Sequence, residues 1–523
     1  MNKKIMASTY RSAALIALIL IAAYGFCGCK KTVKSSEITV DQTVKDTFTR
    51  HTVTGIKTPL PQAPDVPGLL AVSYLAIGDI NKDGIKEIVA AAGLIPNVAI
   101  YTWDGHNIDN WTQSIISRDF AFPNEIVLRD MDGDGEIDIM VMDNFIFCNN
   151  AGGLYYLKNK GGDIKSPDNW EKKIIVRGGS GIAGMDSYHR AVFVDLDGDG
   201  LDDFITSRIN YCIYGQNDGS QYVWIEWFKN EGGGVFSGPY AIGDGAGFMF
   251  TVFDVNGDGK PDVLAPQFAI TEKDPVTQVV TVKGSAEAPD NLGADLLWFE
   301  NPGSVTKSSP QWNSHIIDYK YTSKNWMGKT MEVVPADIDN DNQTELLVCT
   351  HNHQDYVYKD PADPTKNLRF WPAGVFALEI PRNPKKTSAW KPVTIDAGDP
   401  DLDPDDAAAV AADPFAVNRP GGASAQGSTG MVRAADINGD GFDDIVLPGD
   451  GKGILYYYES QGFSRGTVQY KRTALYEDSA CMPGDVKIVD IDGDEKLEII
   501  AAIYDTSVNK NSKSGSVFIF KQK

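Results

Sequence analysis

Seven times the chain places oxygen-bearing side chains at positions 1, 3, 5 and 9 of a nine-residue stretch. In order these are Asp79, Asn81, Asp83 and Glu87; Asp130, Asp132, Asp134 and Asp138; Asp195, Asp197, Asp199 and Asp203; Asp254, Asn256, Asp258 and Asp262; Asp337, Asp339, Asp341 and Glu345; Asp436, Asn438, Asp440 and Asp444; and Asp490, Asp492, Asp494 and Glu498. Alternate residues of a tight loop point inward, so each set predicts an all-oxygen cage suited to a hard cation. Calcium tolerates irregular geometry and fits better than magnesium, which demands a strict octahedron and keeps its water. A glycine at position 6 supplies the backbone angle that such a turn needs. Five copies have it; Asn342 and Glu495 stand there in the fifth and seventh. One Asp/Asn/Gly cluster alone reads as an ordinary turn, but seven in one register predict up to seven structural calcium sites.

Net charge bears on the same sites. Of 71 acidic residues, 25 occupy these positions, and seven divalent ions would take the formal charge from -23 to -9. Without cations the loops should repel themselves open. The acidic balance also argues against a nucleic-acid partner, which calls for basic patches. The sequence contains no P-loop, no G-x-S-x-G elbow and no zinc-finger spacing.

The elements that must position these loops are short strands. Each copy lies between two apolar runs, the second exemplified by Ile88-Val89-Ala90 and Val263-Leu264-Ala265. A third, aromatic run follows, as in Leu154-Tyr155-Tyr156-Leu157 and Leu455-Tyr456-Tyr457-Tyr458. A fourth opens on tryptophan: Trp111 before Ile115-Ile116, Trp170 before Ile174-Ile175, Trp312 before Ile316-Ile317, Trp390 before Val393. Four strands per unit, at a period of 50 to 100 residues, predict a propeller blade; helical periodicity is not evident. The last unit stops after its third strand, Val517-Phe518-Ile519-Phe520. Near the start, Phe48-Thr49-Arg50-His51-Thr52-Val53 aligns with Trp312-Asn313-Ser314-His315-Ile316-Ile317 and has no blade of its own. The predicted fold is therefore all-β: a seven-bladed propeller over residues 46–523 whose N-terminal strand closes the last blade and leaves no open edge.

Ahead of that strand, Lys3, Lys4 and Arg11 precede an apolar stretch from Ala13 to Phe26. It is short for a bilayer span and reads as the core of a signal peptide. Gly28-Cys29 resembles the lipobox of bacterial lipoproteins, although Phe26 and Cys27 depart from its usual residues. The resemblance implies a leader over residues 1–29, lipidation of Cys29 and a polar tether over 30–45. The expected protein is exported, sits on the outer membrane at the cell surface, and touches the bilayer through its lipid only. A plain secretory signal is the alternative. Four further cysteines stand at 148, 212, 349 and 481. In an oxidising compartment Cys148 and Cys212 could pair if their loops adjoin, whereas Cys349 reads as a buried thiol at the end of an apolar strand.

The nonapeptide followed by an apolar strand resembles the FG-GAP/VCBS repeats of integrin α-subunit propellers and many bacterial surface proteins, over almost the whole chain beyond the leader. Trp298-Phe299-Glu300-Asn301-Pro302-Gly303, followed by Trp312 and His315, is closer to bacterial members, some of them similar to aldos-2-ulose dehydratase. The resemblance implies a calcium-binding propeller. It implies little about activity, since the family includes adhesins, carbohydrate binders and lyases.

In a propeller the acidic loops would join first and second strands at one end, and the connectors between second and third strands and between blades would emerge at the other. Motif starts are 51, 65, 59, 83, 99 and 54 residues apart, and most of the excess falls in the latter connectors: 267–295, 350–373 and 398–431. That end is the predicted binding face. It should carry His189, His351 and His353, with Arg190, Arg208, Tyr211, Trp326 and Asp355. Arg190, Arg208, Tyr211, Trp326 and Asp355 form the candidate ligand set, in which Trp326 could stack on a sugar and Arg208 pair a carboxylate. The catalytic candidates are His351, His353, Tyr211, His189 and Arg208. Tyr211 or a histidine could remove the proton α to a uronate carboxylate that an arginine or a metal neutralises. His351 and His353 could also hold a transition metal. Taken singly, each residue reads better as a solvated or structural loop position, and only their convergence on one face lifts the group. Asp401-Leu402-Asp403-Pro404-Asp405-Asp406 lacks the glycine and the closing acid and reads as a solvated loop; residues 421–428 read as a flexible connector. The combined expectation is a calcium-stabilised monomer that binds an extracellular glycan. A carbohydrate lyase or dehydratase acting on the same face, and a scaffold or adhesin for a surface protein, are the alternatives.

Overall fold

The computed structural model describes the chain except residues 1–38, 41–46, 54–58, 61–62, 68–71, 93–96, 144–151, 178–185, 211–221, 245–246, 248, 267–270, 274–279, 283–293, 320–329, 351–358, 361–362, 368–372, 400–401, 403–405, 417–428, 450, 465–466, 480 and 506–515. Seven four-stranded antiparallel blades follow one another. Blade 1 comprises Val72–Gly78, Glu87–Ala92, Asn97–Trp103 and Trp111–Ser117; blade 2 Pro123–Arg129, Asp138–Asp143, Gly153–Asn159 and Trp170–Arg177. Blade 3 comprises Asp186–Val194, Asp203–Asn210, Tyr222–Asn230 and Phe236–Asp244; blade 4 Thr251–Phe253, Asp262–Pro266, Ala294–Glu300 and Asn313–Tyr319. Blade 5 comprises Thr330–Ala336, Glu345–Thr350, Gly374–Glu379 and Pro392–Ala397; blade 6 Arg433–Ala435, Asp444–Gly449, Ile454–Ser464 and Thr467–Glu477. Blade 7 takes Cys481–Val489, Glu498–Asp505 and Ser516–Gln522 from the end of the chain and Phe48–Thr52 from its start. The molecule is an all-β, seven-bladed propeller, closed by its N-terminal strand as the alignment predicts.

Burial explains the strand sequences. Second strands are covered by a blade on each side, so Glu87–Ala92, Asp138–Asp143 and Asp444–Gly449 are buried along their whole length and read as continuous apolar runs after the opening acid. Outer strands such as Trp170–Arg177 have several exposed positions. Among the described residues the core divides into seven clusters centred on the seven blade interfaces. One joins Leu75, Ile88 and Tyr101 of blade 1 to Ile500 and Ile519 of blade 7. The recurrent tryptophans hand their indole N–H to the loop before them, Trp170 to Ile164 O (2.9 Å) and Trp390 to Pro384 O (2.8 Å) with buried rings, and the half-buried Trp111 to Ile108 O (2.7 Å).

The closing strand pairs antiparallel with Ser516–Gln522 from Phe48 opposite Gln522 to Thr52 opposite Phe518. Backbone bonds from Val53 N to Val517 O (2.9 Å) and Lys523 N to Thr47 O (2.8 Å) extend it at both ends. Thr39–Val40, expected in the tether, lies parallel to Lys471 and Arg472 on the outer edge of blade 6. One short helix, Ala407–Ala412, was not anticipated from periodicity. Asp406, read as part of a solvated loop, is its N-cap and accepts from Ala408 N and Ala409 N. The leader, Cys29, the Cys148–Cys212 pair and the 421–428 connector lie outside the described residues. Cys349 is a buried thiol, and burial pushes it up to about 12. Among the described residues no helix is long and apolar enough to cross a membrane.

Candidate metal centres and the propeller axis

Each acidic loop joins the first strand of a blade to the second, and its own backbone shapes it. The position-1 carboxylate spans the turn: Asp79 accepts from Asp83 N (3.0 Å) and Gly84 N (2.9 Å), Asp130 from Gly133 N (2.7 Å) and Gly135 N (2.9 Å). The position-5 carboxylate accepts two residues on, as Asp83 does from Ile85 N (2.8 Å) and Asp440 from Phe442 N (3.0 Å). This turn needs left-handed backbone at positions 4 and 6 alike. Glycines fill both in blades 2, 3, 4 and 6, but Lys82, Asn340, Asn342 and Glu495 adopt φ of 62°, 57°, 62° and 67° without one. The two departures at position 6 therefore keep the geometry: Asn342 N and Glu495 N still reach Asp337 and Asp490, each at 3.0 Å. The demand at position 4 was not foreseen from the motif.

The closing acid opens the second strand and is buried in all seven blades. Glu87, Asp138, Asp262 and Glu498 accept from Ile80 N (2.8 Å), Met131 N (2.9 Å), Val255 N (3.1 Å) and Ile491 N (3.0 Å) respectively. The shorter aspartates also accept from the end of the third strand, Asp138 from Asn159 N (2.8 Å) and Asp262 from Asn301 N (2.7 Å). Burial first, and the acids of the same loop after it, raise Glu87, Glu345 and Glu498 to about 7 and Asp138 and Asp262 to about 6. Asp444 rises to about 7 for the same reasons.

These residues fit a hard cation. In blades 2, 3, 5 and 7, one oxygen from each of three acids lies within 4.8 Å of the others: Asp130, Asp132 and Asp138; Asp195, Asp197 and Asp199; Asp337, Asp339 and Glu345; Asp490, Asp492 and Glu498. Asp197 Oδ1, Asp339 Oδ1, Asp492 Oδ1 and Glu498 Oε1 are buried without a hydrogen-bond partner. A buried carboxylate oxygen without a donor is costly; four of the five among the described residues belong to the acidic loops, and the fifth is Glu125 Oε2. Blades 1, 4 and 6 substitute an amide for one carboxylate, with Asn81, Asn256 and Asn438 at position 3.

The described residues proposed for the opposite face are differently placed. His189 is on the first strand of blade 3 rather than ahead of it, fully buried, and burial followed by the charge of Arg190 pushes it down to about 3. Arg208 is on the second strand, clasping Glu226 through Nε (3.0 Å) and Nη2 (2.8 Å) with its guanidinium 3.9 Å from the Trp224 ring centroid. Tyr211, Trp326, His351, His353 and Asp355 lie outside the described residues.

Arg190 belongs to a charged chain around the axis that motif reading missed. It donates to Glu332 of blade 5 and to Phe250 O at the entry to blade 4 (3.0 Å), and its Nε lies 3.4 Å from Glu125 of blade 2. Glu332, fully buried, also accepts from Arg433 of blade 6 (2.9 Å). Arg433 continues to Asp485 of blade 7 (3.0 Å), which accepts from Lys487 Nζ (2.7 Å) and from Leu75 N of blade 1 (3.1 Å). Every blade contributes an atom. A signal was available: Glu125, Arg190, Glu332 and Asp485 each stand five residues before the first Asp of their motif, a charge recurring at one register position of the first strand.

A family profile described as FG-GAP-like repeat matches residues 195–265 and 436–501. No curated protein matches the chain. Among solved structures the chain is similar to BBS1N in complex with ARL6DN, at 9% identity and a TM-score of 0.40, over 88% of this chain and 95% of that one. It is also similar to a rhamnogalacturonan lyase of Bacillus licheniformis, at 13% identity and a TM-score of 0.39, over 91% and 76%. A third is a putative glucose dehydrogenase of Thermus thermophilus, at 10% and 0.34, over 76% and 100%. With the acidic loops at the matched positions and seven blades around them, the chain is a β-propeller carrying FG-GAP-like repeats.

Proposed function

We propose that this propeller is held together by calcium at its acidic loops, is anchored through lipid on Cys29 at the cell surface, and binds an extracellular glycan through the opposite end. The observation that supports the reading is the segregation of the two ends. All seven acidic loops join first to second strands, so antiparallel topology sends every second-to-third connector to the other end. Those connectors run from four residues in blade 1 to 27 in blade 4 and 23 in blade 5. One end is built by repetition and the other by variation, which is how a fixed scaffold presents a specific surface. A calcium ion in each loop would offset two of the three or four carboxylate charges of the cage and tie the first strand of the blade to the second.

Binding is favoured over catalysis because His189, a candidate base, is fully buried; Arg190 and Arg208, engaged with Glu332 and Glu226, leave the ligand set as well, so the glycan surface is assigned to Tyr211, Trp326 and Asp355. The test incubates the full chain, purified in detergent with calcium, with acidic and neutral polysaccharides, following retention and the ultraviolet absorbance of an unsaturated uronate. Retention without absorbance, weakened by Trp326→Ala, is expected. Absorbance that rises with time and is lost in Tyr211→Phe or His351→Ala would make the protein a lyase instead. Silence in both channels would turn the search to a protein partner.

A further inference from the structure

Register places one residue of each third strand beside the cage of its blade. It follows the partner of the second residue of the second strand: Tyr101, Leu157, Phe228, Phe299, Leu378, Tyr458 and Phe520 are those partners. The residues that follow are Thr102, Lys158, Lys229, Glu300, Glu379, Glu459 and Lys521. Their charges divide the blades. In blades 2, 3 and 7 the lysine reaches into the cage: Lys158 Nζ pairs with Asp132 and with Asp134 (2.8 Å), Lys229 with Asp197 and Asp199, and Lys521 with Asp492 and with Asp494 (2.9 Å), 3.7 Å from Glu498. These blades all carry Asp at position 3. In blades 1, 4 and 6, with Asn there, the position-5 carboxylate instead accepts a neutral amide N–H, from Asn81 (2.9 Å), Asn256 (3.4 Å) and Asn438 (3.1 Å). Blade 5 combines Asp339 with Glu379, and Gln343 donates to Asp341 (2.8 Å).

We infer that the lysines of blades 2, 3 and 7 act as built-in counter-cations, so that the seven cages fall into two classes: blades 1, 4, 5 and 6 bind calcium tightly, and the three lysine-capped blades bind it weakly. The inference rests on the calcium reading above. To enter a capped cage, an ion must displace an ammonium bonded to two carboxylates and then share the site with its charge; elsewhere it displaces one neutral amide hydrogen bond. The cap is partial, because an ammonium on one side of the cage leaves Asp197 Oδ1 and Asp492 Oδ1 bare. Blade 5 stands at the other extreme: Asp339 Oδ1 is bare and no lysine occupies the register position.

The test is isothermal titration of the chelator-treated full chain with calcium, with native mass spectrometry counting bound ions. Wild type should fill four sites in a tight class before three weaker ones. Lys158→Met, Lys229→Met and Lys521→Met should each move one site into the tight class, tightening it at least about tenfold, the worth of one charge-assisted hydrogen bond. Glu459→Lys, which installs the cap in blade 6, should move one site the other way and guards against lysine variants that merely loosen the fold. Seven equivalent sites unmoved by any of these changes would overturn the lysine inference and leave the calcium reading standing. Failure of wild type to bind calcium at all would remove both.

Discussion

The closing acids are the residues on which the acidic loops most depend, because each is buried and bonded to backbone at once. Asp262 accepts from Val255 N and Asn301 N, so Asp262→Asn turns an amide NH2 toward one of two donors. Leaving that donor unpaired should cost about 1–3 kcal/mol, read as a lowered urea midpoint in chelator, and more in calcium because the ion stabilises only the folded form. The raised carboxyls also set a pH dependence. In the folded, ion-free chain Glu87, Glu345, Asp444 and Glu498 titrate near 7 and Asp138 and Asp262 near 6, against ordinary values of 4.5 and 3.8. The folded state therefore holds more protons than the unfolded one across this interval. The stability they contribute is full below about pH 4 and is lost as pH rises through the folded values. The melting temperature in chelator should fall from about pH 5 to 8, and saturating calcium should flatten the slope by taking the place of the protons; a flat profile in chelator would show that these acids are not held as described.

Among the elements, Phe48–Thr52 stands out, because it is farthest in sequence from its partner. Phe48 is buried and meets Tyr457 of blade 6 edge to face, with centroids 5.1 Å apart. Phe48→Ala should cost about 3–5 kcal/mol, and hydrogen exchange should show Ser516–Gln522 opening before the third strands of blades 2 and 3. Uniform loss of protection around the ring would mean that closure is not the weak point. This strand was legible because its tryptophan-led relative, residues 312–317, supplies a template; the incomplete last unit said where it must go. The acidic loops were legible because one oxygen pattern recurs in fixed register. The partners of Arg190 and Arg208 were not: the recurrent position marks Arg190, but a strand's own sequence does not say whether a charge meets solvent or a partner 142 residues away, the separation of Arg190 from Glu332. The helix at Ala407–Ala412 escaped because six residues are too few to display a period, although Asp406 was a visible cap.

At the scale of the whole molecule, two charge distributions act on the ring in different ways. The end formed by the acidic loops carries 25 of the 71 acids of a chain at -23, and its self-repulsion is relieved by cations or by salt. The axis carries a balanced set, Glu125, Arg190, Glu332, Arg433, Asp485 and Lys487, drawn from first strands that pack against one another around the ring. Burying such groups is costly, so the chain is not an economical source of stability compared with apolar packing; removing one member is costlier still, because it strands the others. Glu332 is the sharpest case, since it lies between two guanidiniums and is fully buried. Glu332→Gln should destabilise by about 3–5 kcal/mol. Because those partners are screened from solvent, the loss should persist at high salt, whereas the repulsion among the acidic loops should fade over the same range. Denaturation of both proteins in calcium, across a salt series, separates the two. A constant gap between wild type and variant places the effect at the axis. A gap that closes with salt would mean that water reaches the axis and that the ring is held by its blade interfaces and acidic loops alone.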